Sequence, residues 1–169
     1  MKVLFCWTLA AVALAGVSRK PFFVAQAILP ERLSVYPTHP ASASEREKLI
    51  GAWHLVSLEV PGGDGRMNRI TDIKGMLLYT RDGHMSVQLM YPKSASDLSN
   101  DYVQNGYEAS FGSYDVDEKA RTVTHHVEGS VTRGLTGKDL PRAFELSDHH
   151  LIIKSTRPDE HWSVVWEHY

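Results

Sequence analysis

From residue 51 onward the sequence predicts an all-β fold: an eight-stranded antiparallel up-and-down β-barrel with a short N-terminal helix. Three observations predict it. Apolar and β-branched residues fall in short runs, turn-forming residues separate those runs, and most connections are too short for the crossover helices that parallel strands require. Eight such runs fit in about 120 residues. Closing them into a barrel removes the exposed edges that an open sheet would leave. An immunoglobulin-like sandwich is the other arrangement this spacing allows.

The elements follow in order. Ser44 with Glu47 three residues later has the form of a capping box, and Glu45 to Ile50 can make a short helix ending at Gly51. The predicted strands are Trp53 to Val60, Met76 to Thr80, His84 to Met90, Ser110 to Val116, Arg121 to Gly129, Arg142 to Leu146, Leu151 to Ser155 and Trp162 to His168. Arg81-Asp82-Gly83, Asp117 to Ala120 and Ser147 to His150 supply tight turns. Two longer connections remain, Tyr91 to Ala109, with room for a helical turn, and Ser130 to Pro141.

Upstream of the barrel the sequence reads as an address. Lys2 precedes an apolar run from Val3 to Val17, broken only by Thr8, with the length and flanks of a secretory signal. Ala13-Leu14-Ala15 and Ala25-Gln26-Ala27 both fit a cleavage site, so residues 1–27 are expected to be a signal peptide cut after Ala15 or Ala27. Residues 28–43 carry Pro30, Pro37 and Pro40 among small polar residues and read as a linker, leaving 44–169 as the barrel domain. The expected location is secreted or periplasmic. Cys6 is the only cysteine and lies within the signal, so the exported form would hold no disulfide and no thiolate. None of Asn68, Asn100 and Asn105 starts a glycosylation sequon.

Composition narrows the function. The chain has 169 residues, 43% of them hydrophobic and 22% charged, with a net charge of −2. That suits one core and one site. The charge balance argues against nucleic acid as a partner, and loss of Lys2, Arg19 and Lys20 with the leader makes the exported form more acidic still. No stretch reaches the roughly 20 apolar residues of a membrane span, so no membrane association is expected once the signal is removed. Glycine-rich phosphate loops, HExxH and GxSxG are missing, and no cofactor is expected.

The residues resemble a known family. Gly51-Ala52-Trp53, behind a short helix and opening the first strand, is similar to the Gly-x-Trp start of the lipocalins and related calycin barrels. Gly75 to Thr80, Asp82 to Gln88, Thr124 to Gly129 and the closing Trp166-Glu167 follow in the same order as in the bacterial and fungal lipocalin-like domain family, a resemblance over roughly residues 47 to 168. It implies a barrel and says little about activity. One departure stands out: calycins often stack an Arg or Lys from the end of the last strand on the first-strand Trp, and His168 stands nearest that place here. Arg142 can serve instead, or apolar packing alone can close that end.

Alternation along the strands sets the candidate site. Burial favours Val123, His125 and Val127 as the inward face of their strand over Thr122, Thr124, His126 and Glu128. The next strand turns Arg142, Phe144 and Leu146 inward, and a buried guanidinium needs partners: either Trp53 in a structural stack, or the anionic or carbonyl group of a ligand. His126 and Glu128 share a face, as an acid–base pair or as a polar outer wall. A metal site is not expected, since no third ligand is evident.

Two functions follow. One is a secreted barrel holding a small apolar or amphipathic molecule, closed at the Trp53 end and gated by residues 61–69 and 130–141. Trp53, Tyr79, Ser86, Gln88, Tyr114, Phe144 and Trp166 are its candidate ligand-binding residues. The other is a cofactor-free isomerase or cyclase of secondary-metabolite biosynthesis, with His125 or His126, Glu128 and Arg142 as working groups. In that reading a histidine titrating near neutrality moves the proton. Alternation keeps His125 and His126 from pointing into one lumen, and Glu128 shares the lumen only with His126 unless a bulge intervenes.

Overall fold

The computed structural model describes residues 43–169; the expected signal peptide and nearly all of the linker lie outside the described residues. Helix α1 (Glu45–Leu49) begins with the capping box: the Ser44 hydroxyl accepts from the Glu47 N–H, and the Glu47 carboxylate accepts from the Ser44 N–H. Among the described residues nine strands follow: β1 (Gly51–Pro61), β2 (Met67–Ile70), β3 (Lys74–Tyr79), β4 (His84–Met90), β5 (Tyr107–Asp117), β6 (Thr122–Ser130), β7 (Asp139–Leu146), β8 (His150–Ser155) and β9 (Ser163–His168).

All pairings are antiparallel. The sheet runs β2-β1-β3-β4-β5-β6-β7-β8-β9, and β1 also pairs with β9, which closes eight strands into a barrel with β2 as an extra strand. Long β1 makes this possible, since Gly51 to His54 pair with β3, Trp53 to Glu59 with β9, and Leu58 to Pro61 with β2. The sequence reading placed a gating loop at residues 61–69, where the structure has the β1–β2 hairpin. Met67-Asn68-Arg69-Ile70 escapes notice because it is short, mostly exposed, and without apolar alternation.

A bulge resets the pleat of β1. Leu55 opposes Trp166 and Ser57 opposes Val165, so Val56 is the extra residue, and the buried positions switch from Trp53 and Leu55 to Ser57 and Leu58. Another bulge falls where Phe111 opposes Gly129 and Gly112 opposes Val127, leaving Glu128 unpaired. Gly112 is needed there, because a Cβ would collide with the His126 carbonyl oxygen.

One end of the barrel is plugged. Trp53 is 1% exposed, its indole N–H donates to the Leu49 carbonyl at 2.9 Å, and the His168 ring meets it edge-on with centroids 4.8 Å apart. The close packing of His168 also explains Gly51, whose φ of 144° disfavours a side chain and whose Cβ would strike the His168 imidazole. Among the readings of the departure from the calycin pattern, His168 takes the place on Trp53. Arg142 does not: its guanidinium lies against Tyr102 and Trp162 instead.

Candidate functional site

Away from the plug, the barrel encloses a cavity of about 150 Å³. Leu58, Leu77, Val87, Leu89, Ile153 and Val164 supply an apolar wall, as the inward-facing positions of their strands. Its roof is the β4–β5 connection. This strap is held by its own backbone: Asn100 accepts through its side chain from the N–H groups of Tyr102 and Val103, and the Tyr91 N–H donates to the Gly106 carbonyl. Val103 is 2% exposed and, with Asn100 and Tyr102, lines the cavity. Leu135 and Leu140 join from residues 130–141, so that expected loop does border the mouth.

Arg142 is the cationic group of the lumen among the described residues. It is 6% exposed, with the Trp162 ring 4.9 Å and the Tyr102 ring 5.2 Å from its guanidinium carbon. Its one hydrogen bond is a long one, 3.4 Å, to the Pro141 carbonyl, and it forms no ion pair among the described residues. The two rings offer cation–π attraction, which tolerates a buried cation without neutralising it. Glu160 fixes both rings: it accepts from the Tyr102 hydroxyl at 3.0 Å and from the Trp162 indole at 3.1 Å, along with the Ser155 hydroxyl, and pairs with Arg157. Burial pushes the Glu160 carboxyl up, but hydrogen bonds from Ser155, Tyr102 and Trp162 and the Arg157 charge hold it below its ordinary range.

His125 lines the same cavity, 7% exposed, with Nε2 2.6 Å from the Tyr79 hydroxyl. Burial, reinforced by the Arg142 charge, holds its imidazole down at about 3, while burial pushes the Tyr79 phenol well above its ordinary value. The pair is therefore neutral at physiological pH. The expectation of a lumenal histidine titrating near neutrality is corrected here, because desolvation and a neighbouring cation both disfavour imidazolium.

Glu108 is the residue that sequence reasoning missed. Burial pushes its carboxyl up to about 7, against the opposing pull of Arg142. It lines the cavity because β5 begins at Tyr107, three residues before the predicted start, and Glu108 then shares a face with Ser110 and Tyr114. Extending the alternation back by one pair of residues would have found it.

The other sequence candidates divide by location. Trp166 lines the cavity, and its buried indole N–H has no acceptor among the described residues. Trp53, Tyr79, Tyr114 and Phe144 are buried but lie outside the cavity wall, Tyr114 donating to the Thr80 carbonyl at 2.8 Å. Ser86 and Gln88, expected inside, instead border a groove on the outer wall with Phe111 and Val131, because Met85, Val87 and Leu89 take the inward face of β4. His126 and Glu128 are also outside. Glu128 is exposed despite the bulge, and His126 bridges Asp139 at 2.7 Å and Asp115 at 3.1 Å. The pairing of either with Arg142 in one lumen is thus corrected by the pleat of β6. Among the described residues no three His, Cys, Asp or Glu side chains are arranged to hold a metal ion.

Comparison with known proteins gives one family match: residues 50–167 match the lipocalin-like domain family. No curated protein matches the sequence. Two crystal structures of point mutants of the fluorescent protein UnaG are similar at 13% and 12% identity, each with a TM-score of 0.37, covering 73% and 72% of this chain and 97% and 96% of theirs.

Proposed function

The chain belongs to the lipocalin-like domain family, and from that premise we propose that it is an exported barrel that binds a small, mainly apolar molecule in its lumen. The observation that carries this reading is the cavity of about 150 Å³, apolar on most of its wall and bearing one buried guanidinium with no ion-pair partner among the described residues. A pocket that is mostly apolar with few polar groups buries a ligand's body and fixes its orientation. The apolar leader supports export. Native mass spectrometry of protein recovered from its own host should show a retained small molecule and a chain shortened after Ala15 or Ala27. Recovery of only full-length, ligand-free protein would count against both parts.

Glu108 favours a second reading, the cofactor-free isomerase or cyclase. A carboxyl group titrating near neutrality on the same cavity wall as a guanidinium can take a proton while the cation steadies a developing enolate. Its groups would be Glu108 and Arg142, with His125 and Tyr79 as a neutral hydrogen-bonding pair. Turnover of a bound metabolite that disappears in Glu108→Gln while binding persists would support it.

A further inference from the structure

Resting on the reading of the lumen as a binding cavity, we infer that its ligand is a small monocarboxylic acid, held as the carboxylate by Arg142, and that Glu108 takes up a proton from solvent as the acid binds. The placement of charge leads there. Arg142 and Glu108 line one small cavity, yet no nitrogen of the one comes within 4.0 Å of an oxygen of the other, so the cation is left unpaired. A guanidinium carries five N–H donors, and among the described residues only a single long bond to the Pro141 carbonyl uses any of them. A carboxylate matches that donor edge in a bidentate way, which neither an alcohol nor an amide does. The apolar wall of Leu58, Leu77, Val87, Leu89, Ile153 and Val164 suits the remainder of such an acid. An engineered apolar cavity of about 150 Å³ takes benzene, so a chain of about six carbons or one ring sets the scale.

Proton uptake follows from the count of charges. One cation cannot neutralise both a ligand carboxylate and an ionised Glu108 in a cavity with so little room for water, and the surplus buried charge is costly. A proton on Glu108 removes it. The remaining titratable groups on the wall do not compete for this role: Tyr91 is pushed up by burial to about 12, His125 is neutral, and the Tyr102 hydroxyl is committed to Glu160. Burial holds the Glu108 carboxyl near 7, with Arg142 opposing the effect. A bound carboxylate cancels that opposition and raises it further.

The test uses the barrel protein with hexanoate and its neutral counterpart 1-hexanol as probes, followed by the fluorescence of Trp162 and Trp166 and by calorimetry in buffers of different ionisation enthalpy. Hexanoate should bind with proton uptake that grows toward one proton as pH rises through the region around 7 and above, and its affinity should fall over the same range, by up to about tenfold per pH unit. Glu108→Gln should abolish the uptake and flatten the pH dependence. Arg142→Met should weaken hexanoate by about 100-fold or more while 1-hexanol still binds, which also reports that the variant is folded. Binding of 1-hexanol with hexanoate equal or weaker at pH 7, or hexanoate binding without proton uptake, would overturn the inference and leave the lumen reading intact. Failure of both probes to bind wild-type protein would overturn the inference and count against that reading as well.

Discussion

Replacing Glu108 by Gln keeps the volume of the side chain and removes its charge, and the stability of the variant should reveal the environment of that carboxyl. Burial raises the group from 4.5 to about 7 in the folded protein. An acid shifted upward binds more protons folded than unfolded between those two values, so its ionisation destabilises the fold as pH rises through the interval. The penalty grows by about 1.4 kcal/mol per pH unit and levels near 3 kcal/mol above pH 7. Gln carries no such penalty, so the stability of the variant relative to wild type should rise by about 3 kcal/mol between pH 4.5 and pH 8. His125 acts in the opposite sense. Its folded value of about 3, against 6.5, means that the unfolded chain binds the extra proton, and stability is lost as pH falls below 6.5. In wild type these two slopes oppose one another between pH 6.5 and 4.5. In Glu108→Gln the histidine slope stands uncompensated, at about 1.4 kcal/mol per pH unit. Urea unfolding followed by far-UV circular dichroism across that range measures it. A difference between variant and wild type that stays constant within about 0.5 kcal/mol would mean that Glu108 titrates as in water, and the reasoning from burial would fail.

Other consequences are as direct. Trp53→Ala should cost about 3 to 5 kcal/mol in chemical denaturation, for the cavity it opens and the hydrogen bond to Leu49 it removes; a loss under about 1 kcal/mol would mean that Trp53 is not the plug. Gly51→Ala should destabilise by about 1 to 3 kcal/mol, since its Cβ would displace the His168 ring and its φ of 144° disfavours a side chain, and truncating the ring in His168→Ala should relieve the part due to the clash and leave the backbone strain in the double variant. Hydrogen bonding to Asp139 and Asp115 raises the His126 pKa, so its contribution is fully present below pH 6.5 and is lost as pH rises through the higher folded value. The side chain is 35% exposed and solvent screens it, so the effect should stay below about 1 kcal/mol; His126→Gln should remove that slope, and an unchanged profile would show the bridge to be energetically silent.

The amino-acid sequence by itself determined the capped helix, most of the strand runs and the inward faces of β6 and β7, because each of these is local: a capping box spans four residues, and alternation needs only a strand's own side chains. Closure of the barrel, by contrast, rests on the pairing of β1 with β9 from opposite ends of the domain. The sequence also turned Arg142 inward and His125 into the core, on nothing more than the apolar neighbours two positions away. The tertiary structure alone decided what these groups meet. Arg142 finds Tyr102 from a strap forty residues upstream and Trp162 from the turn before β9, rather than Trp53, and His168 occupies the place on Trp53 that family resemblance reserved for a longer cation. Bulges at Val56 and Glu128 depend on cross-strand register, which no strand specifies alone. Glu108 shows the boundary between the two: its inward direction was legible in the alternation of β5, but its shifted carboxyl and its distance from the guanidinium exist only once strands far apart in the chain enclose one cavity, where the loss of water makes a single charge matter.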